Sequence, residues 1–196
     1  MRTATIARAT KETDVRLALG LDGSGAGVRE TGVGFFDHLL DALARHGGLD
    51  LDVRVQGDLD TGPHHTVEDT GIVLGQALDH ALGDRKGIHR YGHAVVPMDE
   101  ARAACAIDVS GRPYCAVTGL QLPPGAIAGF EHEAAEEFFR AVASAARLTL
   151  HVELEAGTNA HHMIEACFKA FARALRTAVA IDPEESGVPS TKGTLT

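Results

Sequence analysis

The sequence is short of paired cysteines, of long apolar runs and of positive charge, and each shortage removes a class of protein. Cys105, Cys115 and Cys167 are odd in number and include no CxxC pair. They provide no disulfide framework and suit a reducing cytoplasm, the compartment expected here. Cys167 lies in an apolar helical run and is expected to be a core residue rather than a nucleophile. No apolar run approaches the ~20 residues a membrane-spanning helix needs, and no basic-then-apolar leader precedes Thr3. A soluble, unexported chain without a membrane partner is therefore expected. Eighteen lysines and arginines stand against 27 acidic residues, a formal charge of -9. No basic stripe is available to neutralise a phosphate backbone, so no nucleic-acid partner is expected. A small anionic substrate stays open, because a few arginines suffice for a local positive pocket. What remains, 196 residues with 44% apolar and 23% charged, fits one domain or two small halves sharing a core.

Histidine is abundant: there are eleven, four of them in two adjacent pairs. The pairs belong to a long-period internal repeat. Leu49 to Val55 alternates strictly, as a strand with one buried face does, and Leu148 to Leu154 repeats the pattern about a hundred residues later. A Gly-containing loop follows each strand and leads to His64-His65-Thr-Val-Glu68 and to His161-His162-Met-Ile-Glu165; the second loop is two residues shorter. Each doubled histidine opens an apolar helical stretch, carrying Ile72, Leu74, Leu78 and Leu82 in the first and Ile164, Phe168, Phe171 and Leu175 in the second. Each strand also follows a helix candidate, with Phe35, Phe36, Leu39, Leu40 and Leu43 on one and Phe138, Phe139 and Val142 on the other. Extended segments precede these, Thr3 to Leu21 and His93 to Leu120, with turns at Asp22-Gly-Ser-Gly25 and Ser110-Gly-Arg-Pro113. The plan predicts an α+β fold, internally duplicated, with helices packed on one face of each sheet. The pseudo-repeats cover about 1–90 and 91–181. The tail 182–196 is rich in Gly, Pro, Ser and Thr, and by composition alone would be a disordered end.

Residues four apart share a helix face, so His64 with Glu68, and His161 with Glu165, can each grip one cation. The second histidine of each pair is turned about 100° away and is free to ligate a different ion. One such motif is compatible with chance; two at matching positions of a duplicated unit point to two metals. Asp69 follows Glu68, so neither HxxEH nor HExxH is met and the metalloprotease patterns fail. Imidazole with carboxylate suits Mn, Fe, Co, Ni or Zn.

Phe36-Asp-His38-Leu-Leu-Asp41 with His46, the two HHxxE motifs, Lys169 and the tail Pro189-Ser-Thr-Lys-Gly193 together resemble, in order and spacing from about Arg2 to Thr196, the imidazoleglycerol-phosphate dehydratases. The resemblance implies a single dehydratase domain, a two-layer α/β sandwich of the ribosomal protein S5 domain 2-like kind. It implies loss of water from imidazoleglycerol phosphate to give imidazoleacetol phosphate in histidine biosynthesis. It also implies two Mn(II) per active site and a 24-subunit homo-oligomer with active sites between subunits. Carried over by motif, the metal ligands are His38, His64, His65, Glu68, His161, His162 and Glu165. Substrate contacts are Glu12, His46, Arg90, Arg112, Lys169, Ser190, Thr191 and Lys192, together with the ligands His38, His64, His65, Glu68 and His161. One position departs from the pattern. Glu137 stands directly before Phe138-Phe139, where many members have a ligand histidine. It ligates directly, or the coordination position is filled by another group. His132 is more than a helical turn from it. His151 points to the face opposite Leu150 and Val152, towards solvent or a subunit contact.

The chemistry gives these groups work. A metal on an imidazole nitrogen favours imidazolate, which can expel the neighbouring hydroxyl through a diazafulvene-like intermediate. A base, for which the resemblance nominates Glu12, then removes the adjacent carbon-bound proton. Arg90, Arg112 and Lys192 would hold the phosphate through charge-assisted contacts. Two rival readings stand beside this one: a metal-dependent phosphohydrolase, and a metal-binding shell protein without catalysis.

Overall fold

The computed structural model describes residues 2–195; Met1 and Thr196, the ends of the expected domain and tail, lie outside the described residues. Alternation sets the strands. In β2 (Thr13–Gly20) and β4 (Asp50–Gly57), Val15, Leu17 and Leu19 pair with Val55, Val53 and Leu51, and all six side chains turn to one buried face. The second half repeats this in β6 (Ala101–Asp108) and β10 (Thr149–Ala156), where Ala103, Cys105 and Ile107 oppose Leu154, Val152 and Leu150. A period-2 pattern leaves the other face of each sheet outward, and Arg16, Asp52, Arg54, His151 and Glu153 project there.

Each sheet has four strands in matching order. The first runs β1 (Thr3–Ala9), β2, β4, β3 (Arg29–Glu30); the second runs β5 (Tyr91–Met98), β6, β10, β7 (Tyr114–Thr118). In each, the last strand pairs parallel and the others antiparallel. A two-stranded ribbon, β8 (Ala126–Ile127) with β9 (Phe130–Glu131), lies within the second repeat, between β7 and the third helix in sequence.

Four helices fill the space between the sheets: α1 (Gly34–Gly47), α2 (His64–Leu82), α3 (Ala134–Ala146) and α4 (Ala160–Val179). They pair across the repeats. Helix α2 lies on the first sheet and against α3 of the second repeat, while α4 lies on the second sheet and against α1 of the first. The repeats thus share one core, in which Phe36, Phe130, Phe138, Phe139, Phe168 and Phe171 are fully buried and meet edge-on or offset. Cys167 belongs to this core, its thiol pushed up to about 12 by burial. Among the described residues no helix is long and apolar enough to cross a membrane.

Glycine permits the α2–α3 contact. A Cβ on Gly75 would lie 2.6 Å from the Ala145 methyl and 2.7 Å from the Val142 carbonyl oxygen, and one on Gly71 would lie 2.8 Å from the Ala141 methyl. The backbones approach that closely only because α2 carries no side chain there. Gly75→Val should therefore force the repeats apart and cost about 1–3 kcal/mol, read as a lower denaturant midpoint. An unchanged midpoint would contradict the packing.

Candidate metal centre and phosphate cleft

Helix α4 begins where Asn159 caps it: its side-chain oxygen accepts from the backbone N–H of His161 (2.9 Å) and of His162 (3.4 Å). The cap fixes the first turn and with it the doubled histidine. One turn on, Glu165 is buried, and its Oε2 lies 3.1 Å from His161 Nε2 and 3.0 Å from Nε2 of His38, delivered by α1. These three groups converge with ligand atoms within 4.8 Å of one another. Adjacent ligands on an ion about 2.1 Å from each lie about 3 Å apart, so the separations and the donor set fit a divalent transition metal. Burial would raise the Glu165 pKa, but hydrogen bonds from Lys169 (2.6 Å) and His38 bring it down to about 2. The carboxylate is a permanent anion. Phe35 packs against both His38 and His161 and holds the rings in place.

The second histidines face elsewhere, their rings near-perpendicular to the first at 81° and 85°. Each is oriented by a carboxylate absent from the sequence-level candidates as a ligand support. His65 Nδ1 is 3.0 Å from Asp58, and His162 Nδ1 is 2.8 Å from Glu100. Those carboxylates raise the pKa of each imidazole, and the His162 bond, with the backbone N–H of Asn159, holds Glu100 at about 2. A carboxylate on Nδ1 turns Nε2 outward as the ligand nitrogen. Off Nε2 stand Glu12, at 3.9 Å from His65, and Asp99, at 3.8 Å from His162, both on β-hairpin turns. The Glu12 turn is braced from beneath by Asp69, a buried carboxylate that accepts from Thr13 and pairs with Arg8 at 2.5 Å.

At the start of α2, His64 and Glu68 are 3.8 Å apart, and Glu68 shares a groove with Glu137 of α3. His46 lies near Lys169; burial, then Lys169 and Arg173, lower its pKa. His132 donates to, or accepts at, no candidate ligand and bonds the Pro123 carbonyl at 2.9 Å. His151 is on the outer face of β10, its ring 5.5 Å from that of Tyr114.

The remaining candidates gather at the other end of the molecule. Arg90, Arg112, Ser190, Thr191 and Lys192 line a cleft of about 860 Å³. The tail is packed rather than loose there, because Arg90 donates to the Pro189 carbonyl at 2.8 Å. Its other nitrogens meet Asp108 at 2.7 and 3.1 Å. Arg90 is thus a paired strut, whereas Arg112, 4.0 Å from Asp108 and with its side chain 64% exposed, is the freer cation. Composition missed this order because carbonyl–arginine contacts leave no pattern in sequence.

The two ends are far apart. Along α4, from His161 to Ala178, whose carbonyl accepts from Arg90, the axis advances roughly 26 Å. Along β6, from the Glu100 end to Asp108, the strand advances roughly 23 Å.

The chain is similar to known proteins throughout. The family model for imidazoleglycerol-phosphate dehydratase matches residues 31–175. An imidazoleglycerol-phosphate dehydratase of Moorella thermoacetica is 59% identical over 99% of this chain and 98% of its own length. One of Jannaschia is 54% identical over the whole of both. Among solved structures, imidazoleglycerol-phosphate dehydratase of Staphylococcus aureus superposes with a TM-score of 0.82 at 41% identity, over 91% of this chain and 99% of that one. The IGPD of Pyrococcus furiosus gives 0.81 at 36%, over 97% and 100%.

The carboxylates behind the second histidines generate a prediction. Asp58→Asn and Glu100→Gln should each weaken divalent-metal binding about 10–100-fold, measured by calorimetric titration of the apoprotein, with thermal unfolding of the apoprotein nearly unchanged. Wild-type affinity in both variants would contradict the orienting role.

Proposed function

The chain belongs to the imidazoleglycerol-phosphate dehydratase family, a hydro-lyase of histidine biosynthesis acting on a small phosphate substrate, and from that premise we propose how its residues divide the reaction. The observation that carries the reading is the convergence of His38, His161 and Glu165. In it, two imidazoles and a permanent anion meet at the spacing a divalent ion requires.

Two Mn(II) ions serve each active site on this reading. One is held by His38, His161 and Glu165. The pseudo-symmetric centre uses His64, Glu68 and Glu137. Aligned on their ends, Gly47 with Ala146, helices α1 and α3 match Leu39 to Phe138, Leu40 to Phe139, and His38 to Glu137. The same helix pairing then gives α2 the partner that α4 has. His65 and His162, turned away from their own centres, complete those of neighbouring copies. When bound, the metal supplies an acidified imidazole ring that favours expulsion of the neighbouring hydroxyl. The chain does the rest. Glu12, at the tip of an exposed hairpin beside His65, takes the proton from the adjacent carbon, and the Asp69–Arg8–Thr13 brace keeps the hairpin in place. Arg112 and Lys192 hold the phosphate, Ser190 and Thr191 add hydroxyl donors, and Arg90 fixes the tail that carries them. Lys169, paired with Glu165, and His46 near it contact the substrate at the metal end.

A ring, a short carbon chain and a phosphate cannot reach from the metal end to the phosphate cleft of one chain across roughly 26 Å. The distance supports active sites between subunits, and the family resemblance implies a shell of 24 copies. The same reading makes the chain one dehydratase domain of two pseudo-repeats, about 1–90 and 91–181, with a substrate-binding tail 182–196, working in the cytoplasm.

The test is product analysis on imidazoleglycerol phosphate with and without added Mn(II). Metal-dependent formation of imidazoleacetol phosphate is expected. Release of inorganic phosphate would identify a phosphohydrolase, and metal binding without turnover a shell protein. The division of labour is tested by Glu12→Gln, which should keep metal content, particle size and KM while kcat falls by ~10²–10⁴. A near-normal kcat would place the base elsewhere. Loss of metal would make Glu12 a ligand.

A further inference from the structure

The tail segment that lines the phosphate cleft is fastened at both ends, and the second fastening lies outside the cleft. Upstream, Arg90 holds the Pro189 carbonyl. Downstream, Arg85 donates from Nη1 to the Leu195 carbonyl at 2.5 Å. Between the two pins runs a short arch, Ser190 to Thr194, closed by the Gly193 N–H on the Ser190 carbonyl (3.0 Å) and by the Lys192 N–H on Ser190 Oγ (3.2 Å).

Arg85 is built for this task. It follows α2, is only 3% exposed, and has φ +59°, a left-handed conformation that non-glycine residues rarely adopt. Its Nη2 meets the Asp79 carboxylate and donates to the Ala146 carbonyl at 3.2 Å, so the guanidinium is anchored to both repeats before it reaches the tail. Burying an arginine is costly unless its charge is paired, and Asp79 supplies that pairing. The Leu195 side chain is itself 4% exposed.

The same contact fixes the loop that carries Arg112. Gly111 (φ +76°) lies so close that a Cβ there would come 1.9 Å from the Leu195 carbonyl oxygen and 2.8 Å from Arg85 Nη1. On its other side, Arg147 Nε donates to the Gly111 carbonyl at 3.4 Å. Lys192, three residues before Leu195, and Arg112, next to Gly111, are therefore set against one another through a single buried arginine.

We propose that Arg85, through Leu195 and Gly111, is a positioning residue for phosphate binding: it closes the Ser190–Thr194 arch and holds Lys192 opposite Arg112. The proposal rests on reading the cleft as the phosphate site. An arch pinned at both ends presents its donors ready-ordered, whereas one pinned only at Pro189 is a free tail that must be ordered each time substrate binds.

The experiment compares Arg85→Met, which keeps the length but removes every donor, with Leu195→Ser and with Arg112→Ala. Steady-state kinetics, bound metal and amide hydrogen exchange of Ser190–Lys192 are measured on the metal-loaded oligomer. For Arg85→Met and Leu195→Ser we expect KM to rise on the order of tenfold, with kcat within about twofold, metal content intact and exchange faster across the arch. Inhibition by inorganic phosphate should weaken in parallel. If Arg85→Met does not fold, Leu195→Ser, off both sheets, decides alone. Unchanged KM and exchange in these variants, with a raised KM in Arg112→Ala, would overturn the positioning role. An unchanged KM in Arg112→Ala would overturn the phosphate reading of the cleft instead, and exchange in the arch would still judge the pin.

Discussion

Helices α2 and α4 each open on a doubled histidine and close near the arginines that gather the tail, and their 19 and 20 residues hold those two chemistries roughly 26 Å apart. This separation governs the rest of the structure. The doubled histidines stand at helix N-termini, in α4 on a first turn capped by Asn159, and the candidate phosphate contacts stand where strands end and loops turn. On the proposed reading, assembly performs what one chain cannot, by placing the phosphate end of one copy beside the metal end of another.

On the proposed reading, duplication explains how so small a chain supplies two similar centres. The cross-repeat packing, α2 on α3 and α4 on α1, would put a helix from each repeat at each centre. One centre therefore draws His38 from the first repeat and His161 and Glu165 from the second. On the proposed reading its counterpart draws in the reverse sense, with Glu137 where His38 stands, and is richer in carboxylate, a harder ligand set than its twin.

Much of this was legible in sequence, because buried faces and helix motifs leave periodic traces. The alternation of Leu49–Val55 and Leu148–Leu154 marks β4 and β10, and the His/Glu spacing marks the N-termini of α2 and α4. The family itself follows from the ordered motifs. Other features leave no trace. The two-residue strand Arg29–Glu30 is too short for any period to show. Asp69 and Glu100 act by contact with residues distant in sequence, and Asp58 reaches His65 across a loop without helical or strand spacing, so nothing in their immediate neighbours announces it. Asn159 did carry a signal, a capping residue just before an apolar helix, that points to the first-turn geometry of His161 and His162. The tail misleads by composition: its Gly, Pro and Ser suggest disorder, yet buried arginine donors on its carbonyls hold it in place.

The central claim is that each active site joins the metal end of one chain to the phosphate end of another. Complementation between two variants tests it most directly. Glu68→Gln damages only the metal end, and a chain carrying both Arg112→Ala and Lys192→Ala damages only the phosphate end. Each homo-oligomer should be nearly inactive at low substrate concentration. Dissociated, mixed and reassembled with Mn(II), the two should regain activity in proportion to the sites that randomly combine two intact ends. Co-assembly of the two variants with no recovery of activity would mean that both ends act within one chain, and the account would fail.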